Sequence, residues 1–202
     1  MTENLKGISG SMFAGKTELL LKEISRTEMA GYKVHVFKPS IDTRWGLYEI
    51  HSHSGGSHAA TPINHPYEII EQLETDADLV AIDEIQFFEP EIIDVVRFLL
   101  DQDIRVIFAG LALDFRGESF GSMPDLLALC DEIERPSAIC QYPIPEKKTG
   151  KCGAGATRTQ RIVNGQPANY NDPIVLIGAS QEYEARCPNH HEVPGKPKPK
   201  IK

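Results

Sequence analysis

The chain has 202 residues, 41% hydrophobic and 25% charged, which suits one sizeable core with a small appendage. A formal net charge of −8 argues against a general nucleic-acid-binding surface, which needs clustered Lys and Arg, but leaves room for a local phosphate site. No apolar run is long enough for a membrane helix and the first residues lack the apolar centre of a signal peptide; the expected location is therefore cytoplasmic, where four cysteines read as thiols or metal ligands and not as disulfides.

Residues 5–9 predict a short strand. Directly after it runs Gly10-Ser11-Met12-Phe13-Ala14-Gly15-Lys16-Thr17, which fits the phosphate-cradling P-loop pattern in full. Gly10 and Gly15 let the backbone bend round a polyphosphate, and its amides face the anion at the positive end of a helix. Lys16 can reach the β- and γ-phosphates, and the Thr17 hydroxyl is placed for Mg²⁺. A helix is predicted over 17–29, stopped at Gly31, and a second strand over 34–38. Residues 40–62, rich in Ser, Gly and His, are expected to form a mobile loop; His51, His53 and His58 within it have no nearby partners that complete a metal site.

A helix begins near residue 66 with Ile69, Ile70 and Leu73 on its apolar face. An apolar strand over 79–83 ends in Asp83, followed by Glu84. Ile92, Val95, Val96 and Leu99 mark one face of a helix over 90–100, and 105–110 reads as a further buried strand. Leu126, Leu127 and Leu129 lie in an apolar helix, in which Cys130 is a core residue. Such alternation implies an α/β fold with a mainly parallel sheet, whose ligand sits at the carboxyl ends of the strands; Gly10, Asp83 and Gly110 fall there. The pattern breaks near Ser137. Beyond it 158–163 and 174–177 look like strands, and the Pro/Lys-rich tail is expected to be disordered. The domain division expected is 1–138 for a P-loop ATP-binding α/β domain, 139–193 for a second domain and 194–202 for the tail.

An acid at the end of a buried strand can hold Mg²⁺ opposite the P-loop hydroxyl, a role for Asp83 with Thr17. Glu84 is then near the γ-phosphate, where a carboxylate can take a proton from an attacking hydroxyl or water. Downstream, Cys187-Pro188-Asn189-His190 has knuckle-like spacing, and Cys140 with Cys152 can complete a tetrahedral Cys₃His site for a structural Zn²⁺. The interval from Gln141 to Lys151 is long for such a site, which makes Cys152 its least secure ligand.

The chain resembles the type II thymidine kinase family over nearly its whole length. The resemblance rests on the P-loop, on Lys38-Pro39 with Asp42-Thr43-Arg44, on Ser52-His53-Ser54-Gly55 and on Asp83-Glu84-Ile85-Gln86-Phe87-Phe88. It continues through Gly110-Leu111, Asp114-Phe115-Arg116-Gly117, Phe120-Gly121, Ala156-Thr157-Arg158-Thr159-Gln160-Arg161, and Gly178 with Tyr183 before Cys187. It implies a RecA-like domain with a small zinc-binding domain, and transfer of the ATP γ-phosphoryl group to the 5′-hydroxyl of thymidine or deoxyuridine. By the same resemblance Glu84 is the general base, and ATP with its Mg²⁺ meets the P-loop residues, Arg44, Asp83 and Gln86. Met12, Phe87, Leu111, Phe115, Phe120 and Tyr183 surround thymidine, and a lasso from about Arg161 to Tyr183 folds over the base. A homotetramer inhibited by thymidine triphosphate is implied, with no nucleic-acid or membrane partner. Two other readings stay open on the residues alone: a RecA-like ATPase, and a nucleoside monophosphate kinase holding its acceptor phosphate through Arg44, Arg116, Arg158 or Arg161.

Overall fold

The computed structural model describes residues 4–44, 46–175 and 183–198. Strand β1 (Leu5–Ser9) runs into the P-loop and helix α1 (Lys16–Met29), and β2 (Val34–Pro39) follows. Helix α1 ends as Gly31 requires: Gly31, at φ 87°, lets its own N–H reach the Glu28 carbonyl at 2.9 Å and that of Tyr32 reach Thr27 at 3.2 Å. The stretch expected to be a mobile loop is structured. It forms the antiparallel hairpin β3 (Glu49–His51) and β4 (Ser57–Ala59), then β5 (Thr61–Ile63), which joins the main sheet. Ile50 at 2% exposure packs into the core beneath α1, an anchor that the Ser/Gly/His composition conceals.

Next come α2 (Glu68–Gln72), β6 (Leu79–Ile82), a single 3₁₀ turn (Ile85–Phe87), α3 (Ile92–Asp101), β7 (Arg105–Gly110), α4 (Met123–Leu129) and β8 (Glu132–Glu134). Among the described residues the main sheet has six strands in the order β5-β2-β6-β7-β1-β8, and every pairing is parallel. The alternation of side chains along each strand splits the core in two. Ile8, Ala81, Ile107 and Ala109 face α1, against Leu20 and Ile24. Leu5, Val80, Ile82, Val106 and Phe108 face α3 and α4, against Val95, Val96, Leu99 and Leu126. Cys130 packs at the edge of that second core, its thiol donating to the Leu126 carbonyl at 3.3 Å. No helix among the described residues is long and apolar enough to cross a membrane.

Beyond Arg135 the chain forms short antiparallel ladders: β9 (Ala138–Ile139) with β10 (Gly155–Ala156), and β11 (Arg158–Val163) with both β12 (Gln166–Pro167) and β13 (Tyr183–Arg186). Asn164 and Gly165, at φ 51° and 78°, close the β11–β12 hairpin, the backbone a two-residue turn of this kind needs. Of the strand expected over 174–177, Ile174 and Val175 are not in a strand and the other two residues lie outside the described residues. The same is true of Gly178, of 176–182 of the expected lasso and of 199–202 of the tail. At the start of the expected tail, the Pro194 carbonyl accepts the Tyr170 N–H at 2.8 Å, and Lys196 Nζ donates to the Arg116 carbonyl.

The loop leaving β7 is pinned to the turn after β6 by a backbone approach that only glycine allows. At Gly121, φ is 51° and a Cβ would stand 2.4 Å from the Gln86 carbonyl oxygen. Gly121→Ala therefore forces backbone apart as well as straining φ, and should destabilise the protein by about 1–3 kcal/mol in denaturant melts.

Candidate active site

The P-loop follows the carboxyl end of β1, and the left-handed backbone at Phe13 (φ 65°) and Gly15 (φ 83°) turns it into α1. Buried Lys16 bends back over the loop, its Nζ donating to the Ser11 carbonyl at 3.1 Å. Burial pulls the Lys16 pKa down, while the charges of Glu84 and Asp83 push it up. Thr17 Oγ1 donates to Asp83 Oδ2 at 3.1 Å, which brings the residues expected at Mg²⁺ together. Hydroxyl and carboxylate are the hard oxygen donors that this ion takes. The downstream segment fastens the P-loop from behind: Ser11 Oγ donates to the Ala156 carbonyl at 3.0 Å, and Thr159 Oγ1 accepts the Met12 N–H at 3.1 Å.

Glu84 sits in the left-handed region, φ 50° and ψ 39°, an uncommon conformation for a residue with a Cβ. Its N–H donates to Asp83 Oδ1 at 3.0 Å, and its carbonyl accepts from Phe87 at 3.2 Å to start the 3₁₀ turn. Both carboxylate oxygens are occupied. Arg44 donates to one, and Gln86 Nε2 donates to the other at 2.6 Å. Arg44 is itself held by Asp42 at 2.7 Å, and buried Lys38 stands 3.5 Å from the other Asp42 oxygen. Gln86 Oε1 accepts the Leu111 N–H at 3.0 Å. Gln86, expected at the phosphates, is therefore buried behind Glu84 with both ends of its amide engaged.

The two neighbouring acids are shifted in opposite directions. Burial drives the Asp83 carboxyl up, reinforced by the charge of Glu84, to about 7. Burial pushes Glu84 up too, but the Arg44 and Lys16 charges override it and hold it at about 2.

Two cavities flank these acids. One is lined by Gly15, Lys16, Thr17 and Asp83, with the β3–β4 hairpin (Glu49, His51, His53) opposite. Phe13 and His53 lie with ring centroids 5.2 Å apart on that side. The other is lined by Met12, Phe87, Leu111, Phe115, Phe120 and Tyr183, all six residues expected round a nucleoside, and also by Asp114, Thr159, Ile174 and Val175. Met12, Asp42, Arg44 and Glu84 line both cavities. Phe87 and Phe120 meet edge to face at 5.5 Å. Sequence reasoning assigned no role to Thr159; its only signal was its position inside the Ala156–Arg161 motif.

Cys140, Cys152, Cys187 and His190 converge, their ligand atoms all within 4.8 Å of one another. His190 Nδ1 lies 3.3 Å from Cys187 Sγ and 3.7 Å from Cys140 Sγ. Tyr142 stacks on the His190 ring at 4.1 Å with 7° between planes, and Arg186 lies over Tyr142 at 5.0 Å. The long interval between the first two cysteines closes on itself: the Tyr142 carbonyl accepts the Cys152 N–H at 2.8 Å, and Pro143 bridges to Lys151. Cys152 thereby returns beside Cys140. Burial raises the Cys140 thiol, yet hydrogen bonds from Cys187 and Tyr142 backbone and from His190 bring it down to about 7, which suits a metal ligand.

The family model for thymidine kinase matches residues 3–191. A thymidine kinase of Coprothermobacter proteolyticus is 49% identical over 192 residues, spanning 95% of this chain and 92% of that protein. Among solved structures, a DNA replication initiation factor superposes on 66% of this chain and 40% of its own, at 16% identity and a TM-score of 0.42, too loosely to bear on function. With a P-loop, a strand-end acid pair and a match of this extent, the chain belongs to the thymidine kinase family, and it is a kinase.

Proposed function

We propose that this kinase transfers the γ-phosphoryl group of ATP to the 5′-hydroxyl of thymidine, and of deoxyuridine, with Glu84 as general base. The observation that carries the reading is the position of Glu84 and Arg44 in the walls of both cavities, one with P-loop chemistry and the other with apolar and aromatic walls. In the step, the Glu84 carboxylate takes the hydroxyl proton as the 5′-oxygen bonds to the γ-phosphorus, and the bridging bond to ADP breaks with its electron pair. Lys16 stabilises the charge on the phosphoryl oxygens. Thr17 and Asp83 would hold Mg²⁺, which offsets that charge when bound. Arg44 keeps Glu84 ionised before substrates arrive; its guanidinium turning toward the phosphates frees a carboxylate oxygen and raises its basicity. Gln86 aims Glu84 and makes no phosphate contact in this reading.

A nucleoside monophosphate kinase needs arginines free for an acceptor phosphate. Arg116 is committed to Asp114 at 2.7 Å, and Arg161 donates to the Pro173 carbonyl at 2.6 Å while lying over Phe115. Arg158 donates to Thr157 next to it. Arg44 is itself paired with Glu84 and Asp42, so each of the four already has a partner, which supports an uncharged acceptor. An acidic chain with a cavity walled largely by apolar and aromatic side chains also fits a nucleoside better than a nucleic-acid-stimulated ATPase.

We infer further that the Cys₃His cluster holds a structural Zn²⁺, supported by its ligand types and closeness. Residues 1–138 then form a RecA-like domain and 139–193 a zinc-rooted domain whose 161–183 segment is a lasso over the base. A cytoplasmic homotetramer inhibited by thymidine triphosphate completes the reading, on family membership alone.

Glu84→Gln should lower kcat by ~10²–10⁴ and leave ATP affinity nearly unchanged; wild-type turnover in that variant removes Glu84 from the base role. Cys187→Ser should lose zinc by metal analysis and weaken thymidine binding before ATP binding; a pure wild-type protein free of zinc refutes the metal. The raised Asp83 carboxyl has a consequence for stability. Below its ordinary value of 3.8 both folded and unfolded chains carry the proton and nothing is lost; between 3.8 and about 7 the folded state loses stability as pH rises, and above that the penalty is complete. Asp83→Asn should therefore raise the melting temperature of the ligand-free protein at pH 8, with a gain that shrinks as pH approaches 4, while abolishing turnover.

A further inference from the structure

The cavity wall that carries Phe115 is held from outside its own sheet. Residues 114–118 form a tight turn in which Asp114 Oδ1 accepts the N–H groups of Arg116 at 2.8 Å and Glu118 at 3.0 Å. The chain just past the Cys₃His cluster grips this turn. His191 Nε2 donates to the Phe115 carbonyl at 2.8 Å, and Lys196 Nζ donates to the Arg116 carbonyl. Tyr170, tied to Pro194 through its backbone, donates its hydroxyl to the Glu118 carboxylate at 3.1 Å. The His191 ring lies over Gly117 so closely that a Cβ there would stand 3.4 Å from Cε1. The gripping segment is fixed in turn. Buried Gln160 donates to the Glu192 carbonyl and accepts its N–H, both at 2.8 Å, and His190 points its ring into the cysteine cluster. His190 and His191 are consecutive, so the backbone that sets one ring toward the sulfurs sets the other toward the Phe115 carbonyl.

We propose that His191 is a positioning residue for the nucleoside: it locks the Phe115 turn against the metal-rooted segment, so that the metal organises the pocket wall through 187–191. The inference rests on the reading of this cavity as the thymidine site. Loss of one such hydrogen bond, in a wall that must present its ring at one place, predicts a thymidine KM raised roughly fivefold or more in His191→Ala. The KM for ATP, kcat at saturation and zinc content should stay near wild type, and His191→Gln, whose amide N–H reaches a similar distance, should restore most of the thymidine KM. Phe115→Ala serves as the control. If His191→Ala keeps the wild-type thymidine KM while Phe115→Ala raises it, the positioning role is wrong and the pocket stands. If neither raises it, the pocket reading fails and takes this inference with it. Loss of zinc, or an equal rise in the ATP KM, makes His191 merely structural and overturns the proposal. Should His191→Ala not fold, Lys196→Met probes the same grip: a selective rise in thymidine KM supports it, and an unchanged value refutes it.

Discussion

A carboxylate only 8% exposed stays ionised where cations stand against it, and for Glu84 these are Arg44 and Lys16. The Arg44–Glu84 ion pair is the contact between the two cavities, and much of the surrounding structure serves to place it. Lys38 braces Asp42, Asp42 orients Arg44, and Gln86 takes the other face of the carboxylate. Breaking one member of such a buried network costs more than the bond itself, because the remaining charges are left without solvent or partner. The left-handed backbone at Glu84 belongs to the same arrangement. It turns the chain so that two adjacent acids face different tasks, Asp83 toward Thr17 and Glu84 toward Arg44.

The parallel sheet alone would leave this site half built. It supplies the P-loop after β1, the acids after β6 and Leu111 after β7, all at carboxyl ends. What it lacks is a back for the P-loop and a second wall for the apolar cavity. The antiparallel segment beyond Arg135 provides both, through Ala156 and Thr159 behind Ser11 and Met12, and through Tyr183 and the His191 contact on the far side. Its own core is small, built mainly of Ala138, Cys140, Ala156, Ala185 and Cys187, with Phe13 and Ala14 of the P-loop packed against it. So little apolar area holds a fold weakly, and a metal held by the Cys₃His cluster would supply what burial does not.

Much of this was legible in the residues. Apolar runs with a period of two or 3.6 placed β1 and β7 to the residue, and α1 and α3 to within two, because burial on a parallel sheet leaves a strong signal. The P-loop and the Cys/His cluster were legible because their chemistry admits few residue types. The hairpin β3–β4 was not. Its strands are three residues long and its single deep anchor, Ile50, sits among Ser, Gly and His. The place of Gln86 behind Glu84 was equally hidden, since a neighbour in sequence can fall on either side of a carboxylate once the backbone turns left-handed. The grip of residues 191–196 on the Phe115 turn bridges well over seventy positions, and local composition there reads only as a Pro/Lys tail.

The bridge between Pro143 and Lys151 closes the excursion at its neck, so Cys140 and Cys152 are neighbours however much chain lies between them. The entropy of closing a loop grows only slowly with its length, so the excursion can lengthen at its tip, round Lys148, at little cost, while Lys147 Nζ reaches back to the Cys152 carbonyl at 2.6 Å. Chain of foreign sequence, an affinity tag or a fluorophore-bearing peptide, can be grafted at that tip with the paired stem absorbing the change.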